Sequence, residues 1–251
     1  MKKSPNVKRR LDVLVVERGF ADSCEKAQAL IMAGMILVDE KPATKAGTSI
    51  PHSAAVRLKP AGHRYVSRGG LKIEGAVERF GLALEGKTCI DVGCSTGGFT
   101  HYLLLHGAQR VYGVDVDVTQ LDWRLQRDPR VVLVERNARL LEPTDIGELA
   151  DLVTVDASFI SLSLLLPRIC TVLKPGGQCL ALVKPQFEVA RDKVGKGGIV
   201  RSEMDQAESV QKIIRVGEQL GLRCEGECES PITGKEGNRE FFVLFRLPRA
   251  S

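Results

Sequence analysis

The string Asp91-Val92-Gly93-Cys94-Ser95-Thr96-Gly97-Gly98-Phe99-Thr100 holds three glycines within six residues, behind the β-prone run Thr88 to Val92 and ahead of a helical stretch, Phe99 to His106. Strand, glycine turn and helix together let backbone approach a nucleotide-like ligand. A dinucleotide site wants G-x-G-x-x-G. Here three residues separate Gly93 from Gly97, and Asp91 at the strand end would face a cation rather than a pyrophosphate. Two further residues stand at strand ends. Asp156 closes the run from Asp151, and Lys184 closes the run from Cys179. In open α/β sheets the carboxyl ends of the strands are where chemistry happens. A buried lysine is costly unless it is paired, so Lys184 either makes a structural ion pair with Asp156 or has a chemical use. Lys72, near the start of a helix opened by Gly69-Gly70, gains nothing from the helix dipole and also points to another purpose.

The glycine loop resembles the first motif of S-adenosylmethionine-dependent methyltransferases, whose cofactor carries an ammonium and a sulfonium. Asp115 ends the next strand, 24 residues after Asp91, the register at which an acid reaches ribose hydroxyls. Asn137 closes a third strand from Val131 and is placed to meet the adenine side. Methyltransferases of exocyclic amines carry Asn/Asp-Pro-Pro-Tyr/Phe after the fourth strand. Here Asp156 is followed by Ala157-Ser158-Phe159, and that motif is absent.

The elements that must hold these residues alternate. Strands at 88–92, 110–115, 131–137, 151–156 and 179–184 are separated by helical stretches, Leu162 to Leu173 among them. Glu203 to Gly221 is a long helix, and Arg239 to Phe245 a last strand. Such alternation predicts a largely parallel sheet with helices on both faces. Trp123 reads as a packing residue. Seven cysteines without C-x-x-C read as reduced side chains, and four scattered histidines give no metal constellation. No apolar run reaches the roughly 18 residues that a membrane span needs. The basic Met1 to Asn6 leads into no signal-peptide core, so the expected location is cytoplasmic.

Charge divides the chain. Residues 1–72 hold 14 Lys+Arg against 6 Asp+Glu, whereas the other 179 hold 22 against 25. A basic module on a near-neutral body suggests a polyanionic partner. In that module Arg9 to Gly19 and Cys24 to Ala33 read as helices, with Ser23 as a cap, and 35–38 and 55–58 as strands. The stretches from Arg10 to Leu14, from Ser23 to Gly34 and from Ile36 to Pro42 resemble the S4-like RNA-binding domain. That resemblance implies phosphate contacts at Arg9, Arg10, Arg18 and Lys26, which position RNA without reading its sequence. The expected boundaries are an S4-like domain at 8–60, a linker at 61–68 and a catalytic domain at 69–251. The glycine-rich, basic stretch from Arg191 to Arg201 reads as a mobile RNA clamp near the active face.

Ser67 to Lys72, Lys184-Pro185-Gln186-Phe187-Glu188 and Gly237-Asn238-Arg239-Glu240-Phe241 carry the likeness further. Lys72, Asp156, Lys184 and Glu240 resemble the Lys-Asp-Lys-Glu tetrad of FtsJ-like ribose 2′-O-methyltransferases, and the strings resemble the TlyA subfamily, often labelled haemolysin A. Cys94 departs from the alanine commoner in this loop. The resemblance implies a Rossmann-like α/β methyltransferase sheet behind a small α+β S4-like domain. It implies methylation of a cytidine 2′-hydroxyl in ribosomal RNA of the large subunit, and of the small subunit as an extension. The cofactor would be S-adenosylmethionine, cradled by Ser67, Asp91, Gly93, Ser95, Gly97, Gly98, Asp115, Asn137 and Asp156. RNA or a ribosomal subunit would be the partner, with Arg64, Arg68, Lys193 and Lys196 as further contacts and neither metal nor membrane. A free lysine, with a pKa of roughly 10.4, is protonated at neutral pH. Desolvation and the second cation, Lys72, would favour a neutral Lys184 able to act as base. Asp156 would orient Lys184 while drawing its proton back, and Glu240 would orient Lys72 or the ribose. The rivals are a non-catalytic RNA-binding protein and a membrane-lytic one. The second needs an amphipathic or spanning segment, which the sequence lacks.

Overall fold

In the computed structural model, residues 8–58 and 64–249 are described, and the chain divides into two units, Met1–Arg64 and Tyr65–Ser251. The expected linker does not all lie between them. Tyr65 is 1% exposed and begins the second unit, bringing Arg68 and its neighbours with it. Residues 59–63, which hold the end of the expected S4-like domain and the start of the linker, lie outside the described residues, as do 250–251.

The first unit runs β1 (Lys8–Arg10), α1 (Leu11–Glu17), α2 (Cys24–Met32), β2 (Ile36–Val38), β3 (Lys41–Ala43), β4 (Ser49–Pro51) and β5 (Val56–Leu58). Leu11, Leu14 and Val15 recur at helical spacing and are fully buried, as are Ala27 and Ile31 of α2. The Ser23 side chain accepts from the Lys26 backbone N–H at 3.3 Å and caps α2. The first helix starts later than its sequence suggested. Lys8, Arg9 and Arg10 are all exposed and offer no apolar stripe, so they pair as a strand with β4. β2 and β3 are joined through Asp39 and Glu40, both at positive φ (47° and 65°), as a tight two-residue hairpin requires.

The second unit runs α3 (Gly69–Phe80), β6 (Thr88–Val92), α4 (Gly98–Leu105), β7 (Arg110–Asp115), α5 (Trp123–Gln126), β8 (Val131–Glu135), α6 (Pro143–Ile146), β9 (Ala150–Val155), α7 (Leu166–Val172), β10 (Leu173–Val183), α8 (Glu203–Gln219), β11 (Arg223–Glu229) and β12 (Phe241–Arg246). Seven strands form one sheet in the order β11-β12-β10-β9-β6-β7-β8. The pairs among β8, β7, β6, β9 and β10 are parallel, and β12 lies antiparallel between β10 and β11. Along β10, Cys179, Ala181 and Val183 join one buried cluster while Leu180 and Leu182 join the other. The period-two pleat thus gives each face of the sheet its own core. Gly70 is needed for the join to Tyr65: a Cβ there would sit 2.1 Å from the Tyr65 ring. Trp123 does not pack as expected. It is 43% exposed, with the Arg127 guanidinium 5.3 Å from its ring centre.

Candidate active site

After β6 the chain winds outward through β7 and β8, then returns to place β9 on the other side of β6. That reversal opens a crevice at the carboxyl ends of β6 and β9. The glycine loop lies in it. Gly93 has φ +81°, and a Cβ there would lie 2.8 Å from the Asp156 carbonyl oxygen. A Cβ on Gly98 would lie 2.3 Å from Ser67 Oγ, which sets the start of α3 against the start of α4. Gly97, at φ +96°, turns the chain into α4.

Asp91 is fully buried and its carboxylate is hydrogen-bonded within the protein. Oδ2 accepts from the Thr100 backbone N–H at 2.9 Å and from Thr100 Oγ1 at 2.7 Å, and Oδ1 accepts from Thr154 Oγ1 at 3.1 Å. It therefore ties β6 to the first turn of α4 and to β9, while Asp91 also lines the cavity beside the glycine loop. Burial pushes its pKa up to about 6, against the pull of the two threonines. Asp115 ends β7 half-buried, with Oδ2 accepting from the Ser95 N–H at 2.9 Å and Oδ1 from the Asp117 N–H at 3.3 Å. Asn137 lies beyond the end of β8, exposed, and its side chain accepts from the Arg139 N–H at 3.0 Å.

Two cavities share a wall at Gly93, Ser95, Asp156, Ser158 and Phe159. One, of about 720 Å³, is lined by Asp115, Val116, Asn137 and Leu164. The other, of about 840 Å³, is lined by Ser67, Lys72, Lys184, Gln186, Asn238 and Glu240. The four tetrad residues thus meet on the second cavity. Lys72 Nζ is 2.6 Å from Glu240 Oε2, with side chains 8% and 3% exposed. Lys184 Nζ is 2.6 Å from Asp156 Oδ1 and donates to Ser158 Oγ at 2.8 Å. Asp156 and Lys184 follow β9 and β10, which pair in parallel, so their side chains leave the sheet at one edge.

The expected RNA contacts divide. Arg9, Arg64 and Lys196 are exposed. Arg10 forks onto Asp12 at 3.0 and 2.6 Å and holds that carboxyl down at about 2. Arg18 donates to the carbonyls of His52 and Ala54 at 2.6 and 2.8 Å. Lys26 stands 3.1 Å from Asp22. Arg68 donates to the Thr233 carbonyl. Lys193 lies 2.7 Å from Asp205 and 3.0 Å from Glu208, which raise its pKa. The stretch 191–201 is tied down rather than loose. Asn238 accepts from the Val200 N–H at 2.9 Å and donates to the Gly198 carbonyl at 2.8 Å.

Sequence reasoning passed over Ser158, Phe159 and Asn238. Phe159 is 91% exposed at φ +63°, an uncommon conformation for a bulky residue, and it faces both cavities. Its sequence signal is an aromatic three residues after a strand-end acid.

Comparison with known proteins agrees with the fold. The family described as FtsJ-like methyltransferase matches residues 65–247, and the S4 domain family matches residues 9–56. The chain is 46% identical over 243 residues to "Putative rRNA methyltransferase YqxC" of Bacillus subtilis (strain 168), covering 96% of this chain and 86% of that one. It is 43% identical over 239 residues to "16S/23S rRNA (cytidine-2'-O)-methyltransferase TlyA" of Mycobacterium tuberculosis, covering 94% and 89%. Among solved structures, "Putative hemolysin from Streptococcus thermophilus" superposes with a TM-score of 0.73 at 39% identity, covering 97% of this chain and 90% of that one. Among the described residues, no helix is long and apolar enough to cross a membrane.

Proposed function

The chain belongs to the FtsJ-like methyltransferase family and carries an S4 domain at its N-terminus, and on that premise we propose that it transfers a methyl group from S-adenosylmethionine to the 2′-hydroxyl of a cytidine in ribosomal RNA. The observation that carries this reading is the pairing of Lys184 with Asp156, and of Lys72 with Glu240, on one cavity that adjoins the glycine loop. Its RNA substrate places the work in the cytoplasm, on the large subunit and, by likeness to the mycobacterial relative, on the small one.

The cradle fits the cofactor. Gly93 and Gly98 let the glycine loop pack closely against the Asp156 carbonyl and Ser67, so that its backbone lines the cavity, and Asp115 at the end of β7 brings a carboxylate to the cavity beside them. Asp115 would hold the ribose hydroxyls, with Asn137 and the apolar Val116 and Leu164 around the base, and Ser67, Ser95 and Asp156 around the rest. Bound there, the cofactor supplies an electrophilic methyl group.

The chain's own residues supply the rest. A ribose 2′-hydroxyl is a poor nucleophile until its proton leaves. Lys184, in its neutral form, takes that proton, and Asp156 holds Lys184 in place. Lys72, fixed by Glu240, presents a positive charge to the oxygen as it becomes negative. Exposed Phe159 offers a face on which the target base can stack, and the S4 domain grips the surrounding RNA. Holding the oxygen in line with the methyl group completes the catalysis.

The test uses purified protein, methyl-labelled S-adenosylmethionine and ribosomal subunits from cells lacking this activity. A 2′-O-methyl group blocks alkaline cleavage of the following phosphodiester. Label in an alkali-resistant dinucleotide beginning with cytidine is the expected result. Label only in mononucleotides would show base methylation and overturn the tetrad reading.

A further inference from the structure

The loop after β9 sets a hydroxyl against the lysine that this chemistry uses. Lys184 Nζ lies 2.6 Å from Asp156 Oδ1 and 2.8 Å from Ser158 Oγ, and its side chain is 8% exposed. A tetrahedral nitrogen has one bond to Cε and three other directions. Asp156 takes one and Ser158 the second. The third is left to the cavity that all three residues line.

A neutral amine has two N–H bonds and one lone pair to share among those directions. A carboxylate only accepts hydrogen bonds, and a serine hydroxyl can accept as well. With an N–H on each acceptor, the lone pair has only the cavity direction left. Without the serine, the amine can turn about its Cε–Nζ bond and put the lone pair into the vacated side. The chain beyond the serine is anchored. Three and four residues on, Ser161 Oγ and the Leu162 N–H donate to Glu188 at 2.6 and 2.7 Å. That carboxylate is 1% exposed and is paired with Lys212 of α8 at 3.2 Å. A buried, paired charge therefore holds the chain just beyond Ser158, and the serine, itself exposed, turns its hydroxyl inward onto Lys184.

We propose that Ser158 is a positioning residue that aims the lone pair of Lys184 at the substrate hydroxyl. The proposal rests on the methyl-transfer reading above.

The test compares the full-length wild type with Ser158→Ala and Ser158→Thr on the same ribosomal substrate. For Ser158→Ala, kcat should fall by roughly three- to tenfold, the weight of one hydrogen bond between neutral groups. KM for RNA and the cofactor Kd should stay within about twofold, and Ser158→Thr, which keeps the hydroxyl, should recover most of the rate. An unchanged kcat overturns the proposal. So does a loss confined to KM, which would make Ser158 an RNA contact, or a loss that threonine does not repair. Wild type that labels no 2′-hydroxyl overturns the methyl-transfer reading instead. A second measurement then judges the serine by itself: the NMR order parameter of the Lys184 ammonium in the cofactor-free protein at mildly acidic pH. It should fall in Ser158→Ala and hold in Ser158→Thr, and no change in the alanine variant overturns the proposal.

Discussion

Lys26 of the N-terminal unit and Lys72 of the body meet their partners in opposite surroundings. Lys26 meets Asp22 with both side chains in water, while Arg10, itself 57% exposed, pairs with an Asp12 side chain that is only 2% exposed. Lys72 and Glu240 pair with hardly any exposure. An exposed ion pair is worth little and is screened by salt. A phosphate can take the place of the Asp22 carboxylate at small cost, so internal pairing does not disqualify Lys26 as an RNA contact, whereas Arg10 could leave only by stranding the buried Asp12. A buried pair cannot lose one member without stranding the other in a low dielectric. The first arrangement lets partners exchange, as a domain gripping a polyanion needs. The second fixes atoms, as proton abstraction needs. Arg18 stands between them, because leaving the His52 and Ala54 carbonyls would unbrace the turn between β4 and β5.

Lys184→Met should strike hardest. Methyl transfer should fall by roughly 10²–10⁴-fold, the range for losing a general base, with cofactor affinity by calorimetry nearly unchanged. Joint loss of both would mean that Lys184, like Arg18, is a brace. Next is stability. Glu240→Gln leaves the Lys72 ammonium buried without its counter-charge and should cost about 3–5 kcal/mol in urea denaturation. Adding Lys72→Met should restore part of that loss; an equal or larger loss would refute the buried-pair account.

The two structural aspartates should respond to acid in opposite senses. Asp91 binds its proton more tightly folded, up to about 6, than unfolded, near about 3.9. Its contribution is therefore greatest below the unfolded value and falls as pH rises through that window to about 6. Asp91→Asn removes the titration, so the variant should gain on wild type between about pH 4 and pH 6 and hold that gain above. Asp12 is held down at about 2 by Arg10, so what it contributes is present above its unfolded value and lost as pH falls towards 2. Denaturation midpoints of Asp91→Asn and Asp12→Asn across that range would expose the contrast, and parallel curves would remove it.

The smallest effect belongs to the exposed cations. Arg9→Ala should weaken RNA binding and lower the salt slope by about one, with no change in melting temperature. Arg18→Ala should lower both RNA affinity and melting temperature. Anisotropy titrations across a salt series, beside thermal melts, separate the two.

Much of this was legible beforehand. The parallel strands announce themselves as apolar runs that end in acids or a lysine, because a strand buried on both faces tolerates little else. The glycine loop, Asp156 and Lys184 stand out for the same reason, because close backbone approach and strand-end chemistry restrict residue type, whereas Glu240 enters only through the family resemblance. β11 could not be read. Arg223-Cys224-Glu225-Gly226-Glu227-Cys228-Glu229 is charged at alternate positions and contains a glycine, and it forms a strand because β12 offers an edge to pair with. Only the fold decides where a polar side chain finds its partner. Asp91 turns inward because Thr100 and Thr154 meet it from α4 and β9, and Lys193 is held by acids of α8. Ser158 reaches Lys184, 26 residues away in the chain, because β9 and β10 pair side by side. Residue type and local spacing determined which groups could do the chemistry. The packing of distant elements decided which of them are free to, because hydrogen bonds and ion pairs depend on distances that the chain order does not contain.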